Sequence, residues 1–304
     1  MQIRVLVTGA NGHLGRRLLR ELAARGDRPR ALVRSRLAAD SLARVSGAPS
    51  IEVWTADYAD ASAIEEAATG CTHVVHLVGI LKESPTSRYV DAHERATRAV
   101  ALAAERAGAR RVVTVSILGT NPDSRNACLA SKGRAERILL EGKVPATVLR
   151  VPMVLGPGEH AAAALRARAS GRFALLVGGG ASLEQPLDAD DLLRAALRAL
   201  DDDSGEHRVL DLGGPESLRR RELVLRAAAL LGRAPRIVSI PTPVARLSAR
   251  LLGLLPSRPV TLAMLEVLEH DDRVDPGPAC RALRLELTPL DATLRRCLEV
   301  PPAR

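Results

Sequence analysis

The sequence predicts an α/β protein built on a doubly wound parallel sheet, with a smaller C-terminal α/β lobe. Two observations carry this prediction. Residues 3 to 15 read IRVLVTGANGHLG, a β-branched run that breaks into regularly spaced glycines before a helical pattern begins. Short apolar runs then alternate with helical stretches along the first two thirds of the 304 residues, which is the pattern of a parallel sheet covered on both faces.

The opening strand, turn and helix place three glycines at one joint. Glycines at this spacing turn the chain, let backbone amides approach a pyrophosphate and let the helix pack close to the strand. The N–H groups at the start of the helix then point at the phosphates. We therefore predict a Rossmann dinucleotide site, against the alternative of a glycine-rich turn without a ligand. The expected contacts are Gly9, Ala10, Asn11, Gly12, His13, Leu14 and Gly15.

The other elements follow from periodicity and turn residues. Strands are predicted at 30–34, 51–57, 73–79, 110–116 and 146–151. Helices are predicted near 37–45, 60–69, 87–107, 126–142 and 160–170. The remainder contains a helix that ends near 200, a strand at 207–214 and helices near 218–231, 241–254 and 259–270.

The pattern changes after Val151, where a loop replaces the alternation of strands and helices. We therefore predict a nucleotide-binding domain at 1–155 and a smaller substrate or partner lobe at 156–304. Residues 183–214 are expected to return to the first domain. Because no repeat or low-complexity linker separates the two, the lobe is expected to pack on the first domain.

The charge of the chain limits the class of partner. The formal net charge is +9, and only Lys82, Lys132 and Lys143 among the 44 basic residues are lysines. The arginines alternate with Leu and Ala along predicted helices and form no block, so we expect solvated helix faces and no nucleic-acid binding. Contact with a membrane or an acidic protein remains an open alternative.

Cysteine and histidine usage and hydropathy point to a cellular compartment. The four cysteines show no paired spacing and the seven histidines form no ligand set, so we predict a reducing environment and no metal site. Met1 leads directly into the first strand and no apolar run reaches the length that spans a bilayer. The expectation is a cytoplasmic protein, with peripheral attachment to the inner face of the membrane as an alternative.

Several motifs together resemble one known family. They are TGANGHLG at 8–15, HLVGIL at 76–81, VSILGTN at 115–121, LRVPMVLGPG at 149–158 and GGGASLEQPLDADDL at 178–192. The chain resembles the atypical branch of the extended short-chain dehydrogenase/reductases, which includes the nucleotide-binding accessory subunit of respiratory complex I and its bacterial relatives. The resemblance implies the Rossmann fold and a nicotinamide cofactor.

The choice of dinucleotide can be predicted from charge. NAD-selective folds place an acidic residue after the second strand, where it accepts a hydrogen bond from the ribose 2′-OH. Residues 31–36 of this chain contain no acid, and the strand ends in Arg34, with Arg36 and Arg16 nearby in sequence. A guanidinium pairs with a 2′-phosphate. We therefore predict NADP(H), with NAD(H) as the alternative and a plain surface arginine as the other interpretation of Arg34.

The resemblance implies further cofactor contacts. Asp57 would hold the adenine amino group, with Tyr58 beside it, although Asp57 could instead cap a helix from Ala59. The nicotinamide ribose and pyrophosphate would lie against the end of the fourth strand, where glycine permits close backbone approach. The remaining expected cofactor contacts are Leu77, Val78, Gly79, Ser116, Lys132, Val151 and Pro152.

The catalytic motif is incomplete. In the family, a Tyr and a Lys one helical turn apart face the nicotinamide, and the phenol transfers the proton. Lys132 occupies the Lys position, whereas Cys128 stands where the Tyr should be, and Leu118 replaces the usual Ser. A buried, inert Cys128 and a thiol acid activated by Lys132 are both open. Tyr89 and His93 are interpreted as a packing residue and a satisfied structural histidine.

Two functions follow. The first is an NADP(H)-dependent oxidoreductase acting on an apolar carbonyl, quinone or lipid-like substrate. The second is a non-catalytic cofactor-binding protein that docks on a membrane-associated partner. Residues 241–270 predict two helices separated by Pro256 and Pro259, with an apolar stripe formed by Leu247, Leu251 and Leu254 among Arg246, Arg250 and Arg258. This stripe predicts either ordinary packing or a basic amphipathic contact with anionic lipid or a protein.

Overall fold

The computed structural model describes residues 3–42, 51–58, 60–253 and 261–299. The chain divides into two units. The first holds Met1–Arg150 and Leu193–Leu210, and the second holds Val151–Leu192 and Asp211–Arg304. Leu254, Pro256, Arg258 and Pro259 of the predicted amphipathic segment lie outside the described residues.

Strands and helices alternate through most of the described residues. The strands are β1 (Arg4–Thr8), β2 (Arg28–Val33), β3 (Glu52–Thr55), β4 (His73–His76), β5 (Arg111–Ile117), β6 (Ala146–Val151), β7 (Val154–Leu155), β8 (Phe173–Val177), β9 (Leu183–Glu184), β10 (Leu187–Asp188), β11 (Arg208–Asp211), β12 (Leu218–Arg219) and β13 (Arg236–Ile240). The helices are α1 (His13–Ala24), α2 (Arg36–Leu42), α3 (Ala61–Ala68), α4 (Ala96–Arg106), α5 (Ala127–Leu140), α6 (His160–Ser170), α7 (Ala189–Leu200), α8 (Arg220–Leu230), α9 (Thr242–Leu252), α10 (Leu262–Leu268), α11 (Gly277–Leu283) and α12 (Leu290–Glu299). A π-helical segment, Val90–Arg95, runs directly into α4.

In the described residues, one seven-stranded sheet carries the first unit, with the strand order β11-β6-β5-β4-β1-β2-β3. β1 pairs in parallel with β2 and β4, β2 with β3, and β4 with β5. The order reverses between β1 and β4, and ligands of such sheets bind at the carboxyl ends of the strands on either side of this switch point. The predicted doubly wound Rossmann fold is confirmed.

The central strands are buried because helices cover both faces of the sheet. Val5 and Val7 point to one face of β1 and Leu6 to the other, and all three are inaccessible to solvent. Leu18 and Leu22 of α1 are buried at a four-residue spacing, so they form the stripe that packs inward. A core built from Leu, Val and Ala therefore holds β1 and its neighbours, whose carboxyl ends form the candidate site.

The second unit is an α/β lobe with its own core around α6, α8 and α12, which includes Leu165, Leu176 and Leu223. The sequence did not predict its parallel pair β8–β13 or its last two helices. Asp191 accepts hydrogen bonds from the backbone N–H and the hydroxyl of Thr288, both at 2.7 Å. This buried carboxylate ties the segment before α12 to the start of α7.

Candidate functional site

The glycine turn is packed too tightly for side chains. Gly9 has a φ of +66°, and a Cβ there would lie 3.0 Å from the carbonyl carbon of Leu77. A Cβ on Gly15 would lie 2.7 Å from the carbonyl oxygen of Ala10, so only glycine lets α1 approach the turn this closely. The turn therefore touches both the end of β4 and the start of α1.

The N-terminus of α1 is suited to an anion. Its cap residue, Gly12, supplies no side chain, and the first turn of α1 contains no acidic residue. The positive end of the helix dipole is therefore not neutralised by the protein's own carboxylates. This arrangement fits the pyrophosphate of a dinucleotide, and the turn from Gly9 to Gly15 would hold it.

Tyr58 supports the turn from beneath. Its hydroxyl accepts a hydrogen bond from the N–H of Gly9 at 2.9 Å and donates to the carbonyl of Leu32 at 3.2 Å. Burial raises the pKa of this phenol, which keeps it protonated. The sequence predicted Tyr58 only as a neighbour of adenine. Its hydrogen bonds to the turn and to β2, which we call the strut of Tyr58, were not predicted because these partners are distant in the chain.

Asp57 is exposed next to Tyr58, and it does not cap the following helix. The helix α3 begins at Ala61, and the side chain of Asp60 caps it by accepting from the N–H of Ala63 at 3.0 Å. The alternative interpretation of Asp57 as an N-cap is therefore wrong, since the helix starts later than the sequence indicated. Its role toward adenine stays a prediction.

The arginines near the end of β2 differ in their contacts. Arg34 follows β2 directly, is exposed, and makes no hydrogen bond or ion pair with any described residue. Arg16 is held by the carbonyl of Asn11 at 2.8 Å and the hydroxyl of Ser41 at 3.0 Å. Arg16 therefore braces the turn, whereas the guanidinium of Arg34 is available to a ligand at the end of the strand.

Lys132 lies beside the backbone that follows β4. Its helix, α5, is capped by the side chain of Asn126, and the Lys132 ammonium donates to the carbonyl of Val115 at 3.1 Å. A Cβ on Gly79 would lie 3.0 Å from the Lys132 nitrogen, so the glycine makes room for the amine. Burial lowers the pKa of Lys132. The structure thus brings together two of the predicted cofactor residues.

Three further side chains hold the residues that follow Gly79. The thiol of Cys128 donates to the carbonyl of Ile80, with sulfur and oxygen 3.7 Å apart. The N–H of Ile80 donates to Nε2 of His93 at 3.1 Å. The hydroxyl of Tyr89 donates to the carbonyl of Leu81 at 2.8 Å. We call Tyr89, His93 and Cys128 the clamp, because each of them hydrogen-bonds the backbone of Ile80 or Leu81.

The two side chains of the clamp that could transfer a proton, Tyr89 and Cys128, are engaged in hydrogen bonds. The Tyr89 hydroxyl and the Cys128 thiol lie within hydrogen-bonding reach of each other, and each also donates to a backbone carbonyl. Burial raises the pKa of the Cys128 thiol, although the nearby Lys132 ammonium opposes that shift. Cys128 is completely buried. The thiol is therefore a neutral hydrogen-bond donor to the backbone in this structure.

Two buried histidines lie at this part of the site: His93, which belongs to the clamp, and His76 at the end of β4. His76 bonds the hydroxyls of Thr8 at 2.8 Å and Thr97 at 3.1 Å. His93 stacks on Tyr89 with ring centroids 5.5 Å apart, but its Nδ1 has no hydrogen-bond partner among the described residues. The prediction of a satisfied His93 therefore holds at Nε2 alone. Burial, reinforced by the charge of Lys132, lowers the pKa of each histidine to about 3.

The hydroxyl of the family's usual Ser has no obvious replacement among the described residues near the end of β5. Ser116 is buried, and its oxygen lies 3.4 Å from the hydroxyl oxygen of Thr120. Leu118, at the position of the family's usual Ser, is also buried. The site thus has a lysine and the glycine turn but no free phenol or serine among these residues.

Comparison with known proteins agrees with this geometry. Residues 9–174 match a family model described as NAD(P)H-binding. The chain is 30% identical over 244 residues to the ceramide reductase of Caulobacter vibrioides, covering 79% of this chain and 74% of that protein. The chain belongs to the NAD(P)H-binding family.

A second relative has a different kind of name. The chain is 30% identical over 250 residues to the mitochondrial NADH dehydrogenase (ubiquinone) 1 alpha subcomplex subunit 9 of Arabidopsis thaliana. The match covers 80% of this chain and spans 61% of that relative's length. Family members with similar sequences thus include a protein named as a reductase and one named as a respiratory-complex subunit.

Solved structures confirm the fold. The protein called gox2253 superposes with a TM-score of 0.76 at 22% identity, covering 98% of this chain and 97% of that one. MoeE5 in complex with UDP-glucuronic acid and NAD superposes with a TM-score of 0.75 at 21% identity, covering 97% and 98%. At these identities the likeness shows the fold alone.

The other predicted cofactor residues lie after β4 and at the end of β6. β4 ends at His76, so Leu77, Val78 and Gly79 continue beyond the strand that was predicted to include them. Val151 ends β6 and Pro152 follows it, and both side chains are buried. Their contacts with a cofactor stay predictions.

Proposed function

We propose that this family member binds NADP(H) in preference to NAD(H). The observation that carries the proposal is the exposed Arg34 at the end of β2, in a segment without any acid from 31 to 36. A guanidinium there can pair with the 2′-phosphate of NADP(H), and no carboxylate repels it. Arg34 also acts electrostatically on Tyr58, whose hydroxyl accepts a hydrogen bond from Gly9 of the glycine turn, which supports this proposal.

Reversal of the charge tests this preference. Arg34→Asp removes a charge-assisted contact and adds repulsion, which is worth roughly 1.5–3 kcal/mol. NADPH affinity should therefore fall about tenfold or more, while NADH affinity is retained or rises. Arg28→Asp, at an exposed arginine that begins the same strand, is the matched control. An unchanged ratio of NADPH to NADH affinity in Arg34→Asp would refute the role of Arg34.

We propose two alternative roles for the protein with its cofactor bound. In the first role, the cofactor would supply a hydride to a substrate. That role is reduction of an apolar carbonyl, quinone or lipid-like substrate, and the name of the ceramide reductase supports it. The second role is a non-catalytic accessory protein that docks on a membrane-associated partner, and the name of the Arabidopsis relative, a subunit of an NADH dehydrogenase, supports an accessory role.

The clamp favours the second role. Lys132 fits the cofactor ribose as a hydrogen-bond donor, but the Cys128 thiol and the Tyr89 hydroxyl donate to backbone carbonyls. The experiment has two steps: measure NADPH retained through purification, then measure its consumption with aldehydes, ketones and quinones. Retained NADPH without consumption supports the accessory role. Rapid turnover that is lost in Cys128→Ser would instead make the thiol the proton donor.

A further inference from the structure

The second unit carries an apolar surface on β8, β13 and α9. Of the fifteen large apolar side chains that are exposed in the described residues, two lie on β8, one on β13 and four on α9. We call these seven residues the apolar surface: Phe173, Leu175, Val238, Val244, Leu247, Leu251 and Leu252. Nearly half of the exposed large apolar residues therefore occupy three short elements.

The β8–β13 pair has one covered face and one open face. Ala174 and Leu176 are buried in the core of the second unit. Phe173 and Leu175 alternate with them and are 50% and 57% exposed. Leu175 lies opposite Val238 in the parallel register, so these side chains share the open face. Water contacts a sheet face that consists largely of apolar residues.

The helix α9 turns its apolar stripe outward in the same way. Val244, Leu247 and Leu251 are spaced by three and four residues, which places them on one side of the helix. They are 53%, 57% and 59% exposed, whereas Ala249 is buried. A helix at the surface of a globular protein normally turns such a stripe toward the core. The stripe predicted from the sequence is thus exposed where the structure describes it.

The charges on these elements have one sign. Arg172, Arg236, Arg246 and Arg250 are exposed, and none forms an ion pair with a described residue. The guanidinium carbon of Arg172 lies 5.8 Å from the ring centroid of Phe173, close enough for a cation–π contact. From 236 to 265 the sequence has four arginines and no Asp or Glu. Unpaired arginines beside exposed apolar residues suit the phosphates and acyl chains of anionic lipids.

We propose that the apolar surface docks on a bilayer containing anionic lipid. The leucines and Phe173 enter the boundary between headgroups and acyl chains, and the arginines contact lipid phosphates. This proposal deepens the membrane-associated role proposed above and rests on it, since it names the surface through which the chain reaches the membrane. None of the described helices has the length and hydropathy to cross a bilayer.

Sedimentation of the full chain with vesicles tests the proposal. We expect binding to vesicles of phosphatidylglycerol and phosphatidylcholine at low salt, weaker binding at high salt and little binding to phosphatidylcholine alone. Leu247→Glu combined with Leu251→Glu should lower the bound fraction about tenfold or more. Leu102→Glu is the matched control, because Leu102 is an exposed leucine of α4 in the first unit, and it should bind like the wild type.

Two results would overturn the proposal. One is no binding of the wild type to the anionic vesicles at low salt. The other is equal binding by the wild type and the double variant. A dimer in analytical ultracentrifugation that the double variant dissociates, without vesicle binding, would assign the surface to a second copy instead. NADPH titration of the same preparations separates the two ideas: a double variant that binds NADPH but not vesicles supports docking, and failure of every preparation to bind NADPH refutes the proposed function.

Discussion

The glycine turn and the clamp lie at the carboxyl ends of neighbouring strands, but they differ in whether their polar groups are hydrogen-bonded within the protein. At the turn, the start of α1 has neither a capping side chain nor an acidic residue. At the clamp, the thiol of Cys128, the hydroxyl of Tyr89 and Nε2 of His93 all bond the backbone of Ile80 and Leu81. One half of the site is left open to a ligand, and the other half is occupied by the protein's own chain.

On the proposed function, this difference would let a family member keep its cofactor without its usual acid. Cofactor binding would use the turn, Lys132 and Arg34, whereas proton transfer needs a free donor near the nicotinamide. The Cys128 thiol and the Tyr89 hydroxyl instead donate to backbone carbonyls of the segment 79–81. Perturbing the two halves separately should therefore affect NADPH affinity and protein stability differently. The greatest change in the free energy of unfolding is expected on lowering the pH.

Acidification should destabilise the clamp side of the first unit. The pKa of His76 and of His93 is lowered from 6.5 to about 3 in the folded chain, so the unfolded chain binds more protons between these values. Their contribution to stability is complete above pH 6.5 and is lost as the pH falls toward 3. Each histidine should cost about 2 kcal/mol by about pH 5, so the free energy of unfolding should fall by roughly 4 kcal/mol from its value at about pH 7.

Urea unfolding at about pH 7 and about pH 5 measures this change. His93→Gln should remove about half of it, because that ring no longer titrates. His160→Asn is the control, since His160 is exposed, and the pH dependence should be unchanged there. Equal stability of the wild type at the two pH values would contradict the burial of neutral His76 and His93 in the folded chain.

Replacing Lys132 should weaken cofactor binding without unfolding the protein. The ammonium is partly desolvated and donates to the carbonyl of Val115, so Lys132→Met removes this charge and the proposed donor to the ribose. NADPH binding should weaken by roughly 1–3 kcal/mol in calorimetric titration. Lys143→Met, which removes an exposed lysine paired with Glu105, should leave NADPH affinity unchanged. Equal affinity in Lys132→Met and Lys143→Met would remove Lys132 from the cofactor site.

Changes at Cys128 should have the smallest effect on the cofactor. Cys128→Ser keeps a donor for the carbonyl of Ile80, whereas Cys128→Val leaves that carbonyl without it. We expect NADPH affinity to stay nearly constant in both variants, and we expect Cys128→Val to lose about 1 kcal/mol more stability than Cys128→Ser. Thermal unfolding and NADPH titration measure the two quantities. A large loss of NADPH affinity in Cys128→Ser would contradict a purely structural thiol.

The glycine turn could be predicted because its signal is local. Gly9, Gly12 and Gly15 lie within one strand, turn and helix, so spacing alone places them together. The alternation of strands and helices likewise predicted the sheet and the helix over 160–170, which α6 matches. These features need no knowledge of distant contacts.

The clamp and the strut of Tyr58 could not be predicted in this way. The clamp joins a loop at 79–81 to Tyr89, His93 and Cys128 from two other elements, and Tyr58 reaches Gly9 across 49 residues. The short strands β8 and β13 are far apart in the chain, and neither has an alternating pattern that is strong by itself. In each case the deciding contacts are long-range, and periodicity carries no signal for them.

Titration of the purified wild-type chain with NADPH and with NADH is the decisive measurement for this cofactor site. The turn, Lys132 and Arg34 should together bind NADPH, and NADPH should bind about tenfold or more tightly than NADH because only NADPH offers a 2′-phosphate to Arg34. Saturable binding with this order of affinities is the expected result. Failure to bind either dinucleotide, or tighter binding of NADH, would contradict a site that keeps its cofactor through the turn, Lys132 and Arg34.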